Sequence, residues 1–260
     1  MPHITCDDGV SLHCHLDGPE GASVLVLSNS LGTDLGMWEP QMPALAAQYR
    51  VLRYDTRGHG KSGLPPAQYG VDRLGRDVLA LLDALKIEKA AFCGLSMGGM
   101  TGMWLGVHAP ARFSRLVLCN TAARIGTPEV WNTRIAAVRQ GGMAAILQGV
   151  IQRWFTEGFV AADPKAVERI SAMLLATAPE GYCGACAAVR DMDQRADIAA
   201  IRLPVLVIAG SDDLATPAAD GRFVADTIPG ARYAELPAAH LSNIECRDAF
   251  TEALTGFLNA

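Results

Sequence analysis

Short apolar runs alternate along this chain with stretches in which apolar residues recur every three or four positions. The runs at 24–28, 49–54, 90–93, 116–119, 204–209 and 232–236 are short, mostly apolar, and bounded by Gly, Pro, Asp or Asn. That pattern predicts strands of a buried parallel sheet. Two further runs, 4–6 and 11–16, flank the turn Asp7-Asp8-Gly9 and predict an N-terminal hairpin. Helical spacing is found at 38–48, 71–85, 98–109, 218–227 and 243–258. In 71–85, Leu74, Val78, Leu81, Leu82 and Leu85 share one face. Strand alternating with helix predicts an α/β fold: a mostly parallel eight-stranded sheet covered by helices on both faces.

The rhythm fails between residues 123 and 198. Only helical pattern is present there, at 128–140, 143–154, 165–177 and 180–191, separated by Gly-Gly, Glu-Gly, Asp-Pro and Pro-Glu-Gly breaks. Strand pattern resumes at Pro204. The expectation is therefore a core built from residues 1–122 and 199–260, with residues 123–198 inserted as a helical cap.

Composition narrows the function classes. With 260 residues, half of them hydrophobic, the chain reads as globular rather than disordered. A net charge of -5 without a Lys/Arg cluster argues against nucleic acid as a partner. No apolar run approaches the roughly 18–20 residues that span a bilayer, so no membrane partner is expected. The start of the sequence is acidic and polar where a signal peptide would be basic and then apolar, which predicts a cytoplasmic protein. Seven Cys are scattered rather than framed for disulfides. Cys183 and Cys186 form a CxxC without a second pair or nearby His, so they are expected to be small residues on a cap helix, with no metal bound.

The chemistry concentrates at Gly94-Leu95-Ser96-Met97-Gly98-Gly99, between a predicted strand and a predicted helix. Gly-x-Ser-x-Gly in that context places a serine on a sharp turn with its hydroxyl exposed at a helix N-terminus. The stretch lacks the Lys of a P-loop and the spacing of a dinucleotide-binding turn. Ser96 is the expected nucleophile, and it needs a base. Of six His, His3, His13 and His15 fall in the hairpin. His108 lies about 18 Å along the helix that begins at Ser96. His59 sits in a turn and is expected to be structural. His240 follows the last strand, where ligands collect in open α/β sheets, and is the expected general base. The acid should fall between Ser and His in chain order. Asp213 has the preferred spacing after Gly210, with Asp212 as its competitor; the end of the preceding strand carries Asn120 rather than a carboxylate. The oxyanion donors are expected to be the N–H groups of Met97 and, from the turn after strand 24–28, Leu31.

The ordered set Ser96, Asp213 and His240, with a helical insertion before the acid, resembles the α/β-hydrolase fold family over the whole chain. The runs Asp55–Ser62 (DTRGHGKS) and Gly94–Met100 (GLSMGGM) resemble its capped branch of lactonases, esterases, C–C hydrolases and cofactor-free perhydrolases. More narrowly, Leu27–Thr33 (LSNSLGT), Met37-Trp38, Pro40-Gln41, Arg53–Gly60 (RYDTRGHG) and Ala239–Asn243 (AHLSN) look like the 3-oxoadipate enol-lactonases of the β-ketoadipate pathway. Many hydrolases carry His-Gly where this chain carries Asn29-Ser30, and that departure is typical of the enol-lactonase group.

The resemblance implies a serine hydrolase that opens a small anionic lactone without metal or organic cofactor. A substrate carboxylate calls for a cation in the pocket. Among the cap arginines 124, 134, 139, 153, 169 and 190, most are expected to be solvated. Arg134 is the expected partner, because Trp131 lies one turn earlier. Trp154 and Ser30 are further expected substrate contacts. Ser96 rules out a haloalkane dehalogenase, which carries Asp there. Another capped ester or C–C hydrolase, a perhydrolase, and a non-catalytic receptor on the same fold remain open. So does the oligomeric state.

Overall fold

Central strands that are apolar on both faces need helices above and below them, and the chain supplies these in alternation. The structure is a computed structural model that describes residues 3–65 and 68–260, so the first two residues of the acidic N-terminal stretch lie outside it. In chain order come β1 (His3–Thr5), β2 (Ser11–Asp17), β3 (Val24–Ser28), a 3-10 turn (Leu35–Gln41), α1 (Met42–Leu45), β4 (Arg50–Tyr54), α2 (Val71–Ala84), β5 (Ala90–Leu95), α3 (Met97–His108) and β6 (Phe113–Cys119). The helices α4 (Pro128–Gly141), α5 (Ala144–Trp154), α6 (Glu157–Ala162), α7 (Pro164–Ala176) and α8 (Pro179–Asp191) follow. The chain ends with β7 (Val205–Gly210), α9 (Ala218–Thr227), β8 (Arg232–Leu236), α10 (Ser242–Glu245) and α11 (Arg247–Leu258).

The eight strands form one sheet in the order β1-β2-β4-β3-β5-β6-β7-β8. The pairs β1–β2 and β2–β4 are antiparallel and the rest are parallel. Interior strands β5 and β7 are buried along their whole length. β8, at the edge, is buried only at Leu236, which explains why its sequence is the least apolar of the set.

Three differences from the expected elements have local causes. The helix expected at 38–48 is a 3-10 turn followed by the four-residue α1, because Pro40 and Pro43 each remove a backbone donor. The helix expected at 243–258 breaks at Cys246 (φ −114°, ψ 48°), giving α10 and α11. The sequence pattern also missed α6, a six-residue helix that starts where the Thr156 side chain accepts the Phe159 N–H.

The helices α4–α8 lie between β6 and β7. The segment's ends are joined to each other and to the core. Gln194 N–H donates to Ala123 O (2.8 Å), and its side-chain amide donates to Met100 O in α3 (3.0 Å). No single helix among the described residues is long and apolar enough to cross a membrane. Helices α7 and α8 pass that test only when taken together, across a 95° bend.

Candidate active site

β5 runs straight into α3, and Ser96 is the residue at the reversal. Its backbone stands at φ 58°, ψ −114°, a region that costs a side-chain-bearing residue roughly 1–3 kcal/mol. Neighbouring contacts hold it there. Ser96 N–H donates to Cys119 O (2.9 Å), and the Thr121 hydroxyl donates to Ser96 O (2.8 Å). The turn must also be very tight. A Cβ on Gly94 would lie 2.2 Å from Gly98 O, and one on Gly98 would lie 2.2 Å from Ser28 O. The flanking glycines are thus required by backbone approach. Met97 N–H, at the first position of α3, has no intrahelical acceptor.

The acid and base sit on the turns after β7 and β8. His240 Nδ1 lies 2.9 Å from Asp213 Oδ2. The same oxygen accepts from Thr216 Oγ1 (2.8 Å) and Asn120 Nδ2 (3.0 Å), while Oδ1 accepts the amides of Ala215 (2.8 Å) and Thr216 (2.9 Å). Burial alone would raise the Asp213 pKa. The charge and hydrogen bond of His240, the Thr216 amide and the Asn120 amide outweigh it and bring the carboxyl down to about 2. Asp213 therefore stays ionised and fixes the proton on Nδ1, which leaves Nε2 as the basic nitrogen. Asp212 is exposed, hydrogen-bonded to the Ser211 hydroxyl, and makes no contact with His240.

Asn120 links these turns. Its side-chain amide donates to Asp213 and to Ala239 O (3.1 Å), and its Oδ1 accepts from the Ser242 hydroxyl. The amide at the end of β6 thus fastens the acid loop to the base loop.

The turn after β3 is held by the motif that follows β4. Arg57 makes a two-pronged ion pair with buried Asp77 (2.6 and 2.7 Å). Asp55 Oδ1 accepts Leu35 N–H (2.8 Å). His59 Nε2 accepts Gly32 N–H (3.0 Å), and its Nδ1 faces Arg57 O (3.1 Å). Burial lowers the His59 pKa, in keeping with the neutral ring this pairing needs. His59 thus ties the turn after β3 to the turn after β4. Ser30 N–H is taken by Met37 Sδ and Thr33 N–H by Ser30 O. Of the amides at 30–33, this leaves Leu31 N–H uncommitted among the described residues.

Ser96 and His240 line one small cavity of about 40 Å³, together with Ser30, Leu31 and Thr216. Its other wall comes from the insertion: Trp131 and Arg134 of α4, Arg153 and Trp154 of α5, and Tyr182 of α8. Space on that scale holds a few waters. Larger surface clefts, near 1080 and 900 Å³, touch none of Ser96, Asp213 or His240. The Trp131 indole N–H donates to Ile125 O (2.7 Å), and the ring carries the Arg134 guanidinium 4.8 Å from its centre.

Arg153, which the sequence does not single out from the other cap arginines, also faces the cavity. It is half-buried, and burial followed by repulsion from Arg134 lowers its pKa below the ordinary arginine value. Neither guanidinium forms an ion pair with a carboxylate among the described residues. Sequence spacing gave no signal here, since the two arginines meet only through the packing of α4 against α5. Tyr182 and Thr216 reach the same cavity from α8 and from the turn after β7, and their spacing from Ser96 carries no signal in sequence.

The remaining expectations fall outside the site. His13 pairs through Nδ1 with Asp55 (2.8 Å), His108 packs against Trp104, and His3 and His15 flank His13 on the hairpin. Cys183 and Cys186 are buried on α8, and no cluster of three or more metal-ligating side chains is found among the described residues.

Residues 23–245 match the alpha/beta hydrolase fold family model. The 3-oxoadipate enol-lactonase 2 of Acinetobacter baylyi is 44% identical over 251 residues, covering 96% of this chain and 94% of its own. The 3-oxoadipate enol-lactonase 1 of the same organism is 43% identical, covering 99% of this chain and 96% of its own. The crystal structure of the enol-lactonase from Burkholderia xenovorans LB400 superposes with a TM-score of 0.98 at 48% identity, covering all of both chains.

Proposed function

This chain belongs to the α/β-hydrolase fold family, and from that premise we propose that it opens 3-oxoadipate enol-lactone to 3-oxoadipate through a Ser96 acyl-enzyme. One observation carries the reading: the serine turn and the His240–Asp213 pair open onto a cavity whose far wall holds two arginines without carboxylate partners. The likeness to enol-lactonases over nearly the whole chain supports the choice of lactone.

His240 Nε2 takes the Ser96 proton as Oγ attacks the ring carbonyl. The amides of Leu31 and Met97 receive the oxyanion, each contributing about 3–4 kcal/mol to the transition state. Collapse breaks the ring C–O bond. The leaving oxygen takes the proton from the His240 imidazolium and departs as an enol, tethered within the acyl group, and tautomerises to the ketone, which draws the cleavage forward. Water, deprotonated by the freed His240, then attacks the acyl carbonyl, and collapse returns that proton to Ser96 Oγ and releases the ketodiacid. Asp213 holds the imidazole tautomer and stabilises the imidazolium. As the inserted helices yield to widen the cavity, the substrate carboxylate binds between Arg134 and Arg153, relieving their mutual repulsion, with Trp131 and Trp154 walling the ring and Ser30 adding a hydroxyl. The substrate is thus a small anionic lactone. A cytoplasmic setting suits the free Cys93 and Cys119 thiols, which are hydrogen-bonded to each other at 3.7 Å.

Steady-state hydrolysis of the enol-lactone beside neutral lactones and aryl esters tests the reading. A kcat/KM preference of several hundred-fold, about 3–4 kcal/mol, is expected. Equal or better use of a neutral ester would assign the chain to the wider esterases.

A further inference from the structure

The loop that carries His240 is tied to the helical insertion on both sides of the histidine. After it, Leu241 N–H donates to Trp154 O (3.1 Å). Before it, Ala239 N–H donates to Glu245 Oε2 (3.0 Å). The same carboxylate reaches the insertion: Thr156 N–H approaches Oε2 (3.4 Å), and the Thr156 hydroxyl donates to Oε1. Glu245 closes α10 and is half-buried. Its partner segment, 154–156, begins with a tryptophan that walls the reaction cavity and ends with the residue that caps α6. The backbone of Ala239 is therefore held on both sides of its Cα, the N–H by Glu245 and the C=O by Asn120.

We propose that Glu245 is a positioning residue that locks segment 154–156 to the His240 loop, so that imidazole and cavity wall are placed as one unit. The proposal rests on the reading of His240 as the base for Ser96. Bonds from amides and a hydroxyl to a carboxylate are stronger than neutral ones. Without them, Ala239 N–H and the Thr156 hydroxyl lose their acceptor and the imidazole loses its register with Ser96. Small misplacements of this kind cost on the order of 10²-fold in rate.

The test compares the parent with Glu245→Ala, Glu245→Gln and Thr156→Val. Three quantities are measured: labelling of Ser96 by a fluorophosphonate, kcat and KM on the enol-lactone and a small aryl acetate, and Tm. Glu245→Ala is expected to label about 10–100 times more slowly, with a matching fall in kcat on both substrates and little change in KM. Glu245→Gln keeps a carbonyl for Ala239 N–H and an amide for the Thr156 oxygen, and should recover most of kcat. Thr156→Val should show a smaller loss of the same kind. If Glu245→Ala does not fold, Gln and Thr156→Val decide. Parental labelling and kcat in the variants, with only Tm lowered, would overturn the proposal. A parent that fails to label would overturn the Ser96–His240 reading and this proposal with it. A parent that labels but spares the lactone would overturn the lactone alone, and the aryl acetate would still decide the role of Glu245.

Discussion

The rim of the sheet and the inserted helices meet at one cavity but are built on different principles. On the rim, Ser96, Asp213 and His240 each occupy a turn directly after a strand, and backbone and side-chain hydrogen bonds hold them from several directions. Across the cavity, Arg134, Arg153, Trp131 and Trp154 project from helix faces, and stacking, packing and a single indole hydrogen bond from Trp131 set their positions. On the proposed reading, the rim supplies bond-making and the helices choose what reaches it. Substitutions on the rim should therefore strike every substrate alike, while substitutions in the helices should strike substrates unequally.

The strongest challenge to that division is Asp213→Asn. An amide at this position misdirects the His240 tautomer, and kcat should fall about 10⁴-fold on the lactone and a neutral ester together. A loss confined to one substrate would dissolve the distinction. The same variant has a signature in stability. The folded pKa of Asp213, about 2, lies below the ordinary 3.8, so its ionised form stabilises the fold above pH 3.8. That contribution, about 2 kcal/mol, disappears as pH falls through about 2. Denaturation midpoints of parent and variant should differ most above pH 4 and converge between pH 4 and 2.

An intermediate effect is expected across the cavity. Arg134→Ala and Arg153→Ala should each lower kcat/KM on the anionic lactone by about 10–100-fold, the worth of a charged hydrogen bond, and leave a neutral aryl ester within a few-fold. Equal losses on both substrates would remove the arginines as carboxylate partners.

The smallest effect belongs to Cys183→Ser, on the outer side of the same insertion. The Cys183 thiol is directed at Ile135 O (3.8 Å), and burial pushes its pKa up. Steady-state rates should stay within twofold, with or without a chelator. A larger loss would place chemistry at the CxxC that the geometry does not supply.

Legibility in the sequence follows the same division. The serine turn could be read because tight backbone approach admits only glycine at 94 and 98, and the spacing itself is the signal. Asp213 and His240 could be read because an alternating fold places the turns after β7 and β8 at one end of the sheet. Helix ends were less legible where proline or an irregular residue intervened, as at Pro40 and Cys246. Arg153 was not legible at all. Its role depends on how α4 and α5 cross, and both helices show only an apolar stripe and a polar face in sequence. Asn120 stands in sequence where a carboxylate would be the alternative acid, but its three hydrogen bonds emerge only when three loops converge.

The Gln194 clasp has an implication for how such a chain diversifies. Because it joins residue 194 to residue 123 and anchors Gln194 on α3, the intervening segment has its two ends held together ahead of the return to β7. Exchange, lengthening or trimming of that excursion leaves the strand ladder undisturbed, provided the replacement keeps the bridge to the histidine turn. New selectivities can thus be auditioned as cassettes upon an unaltered reaction centre.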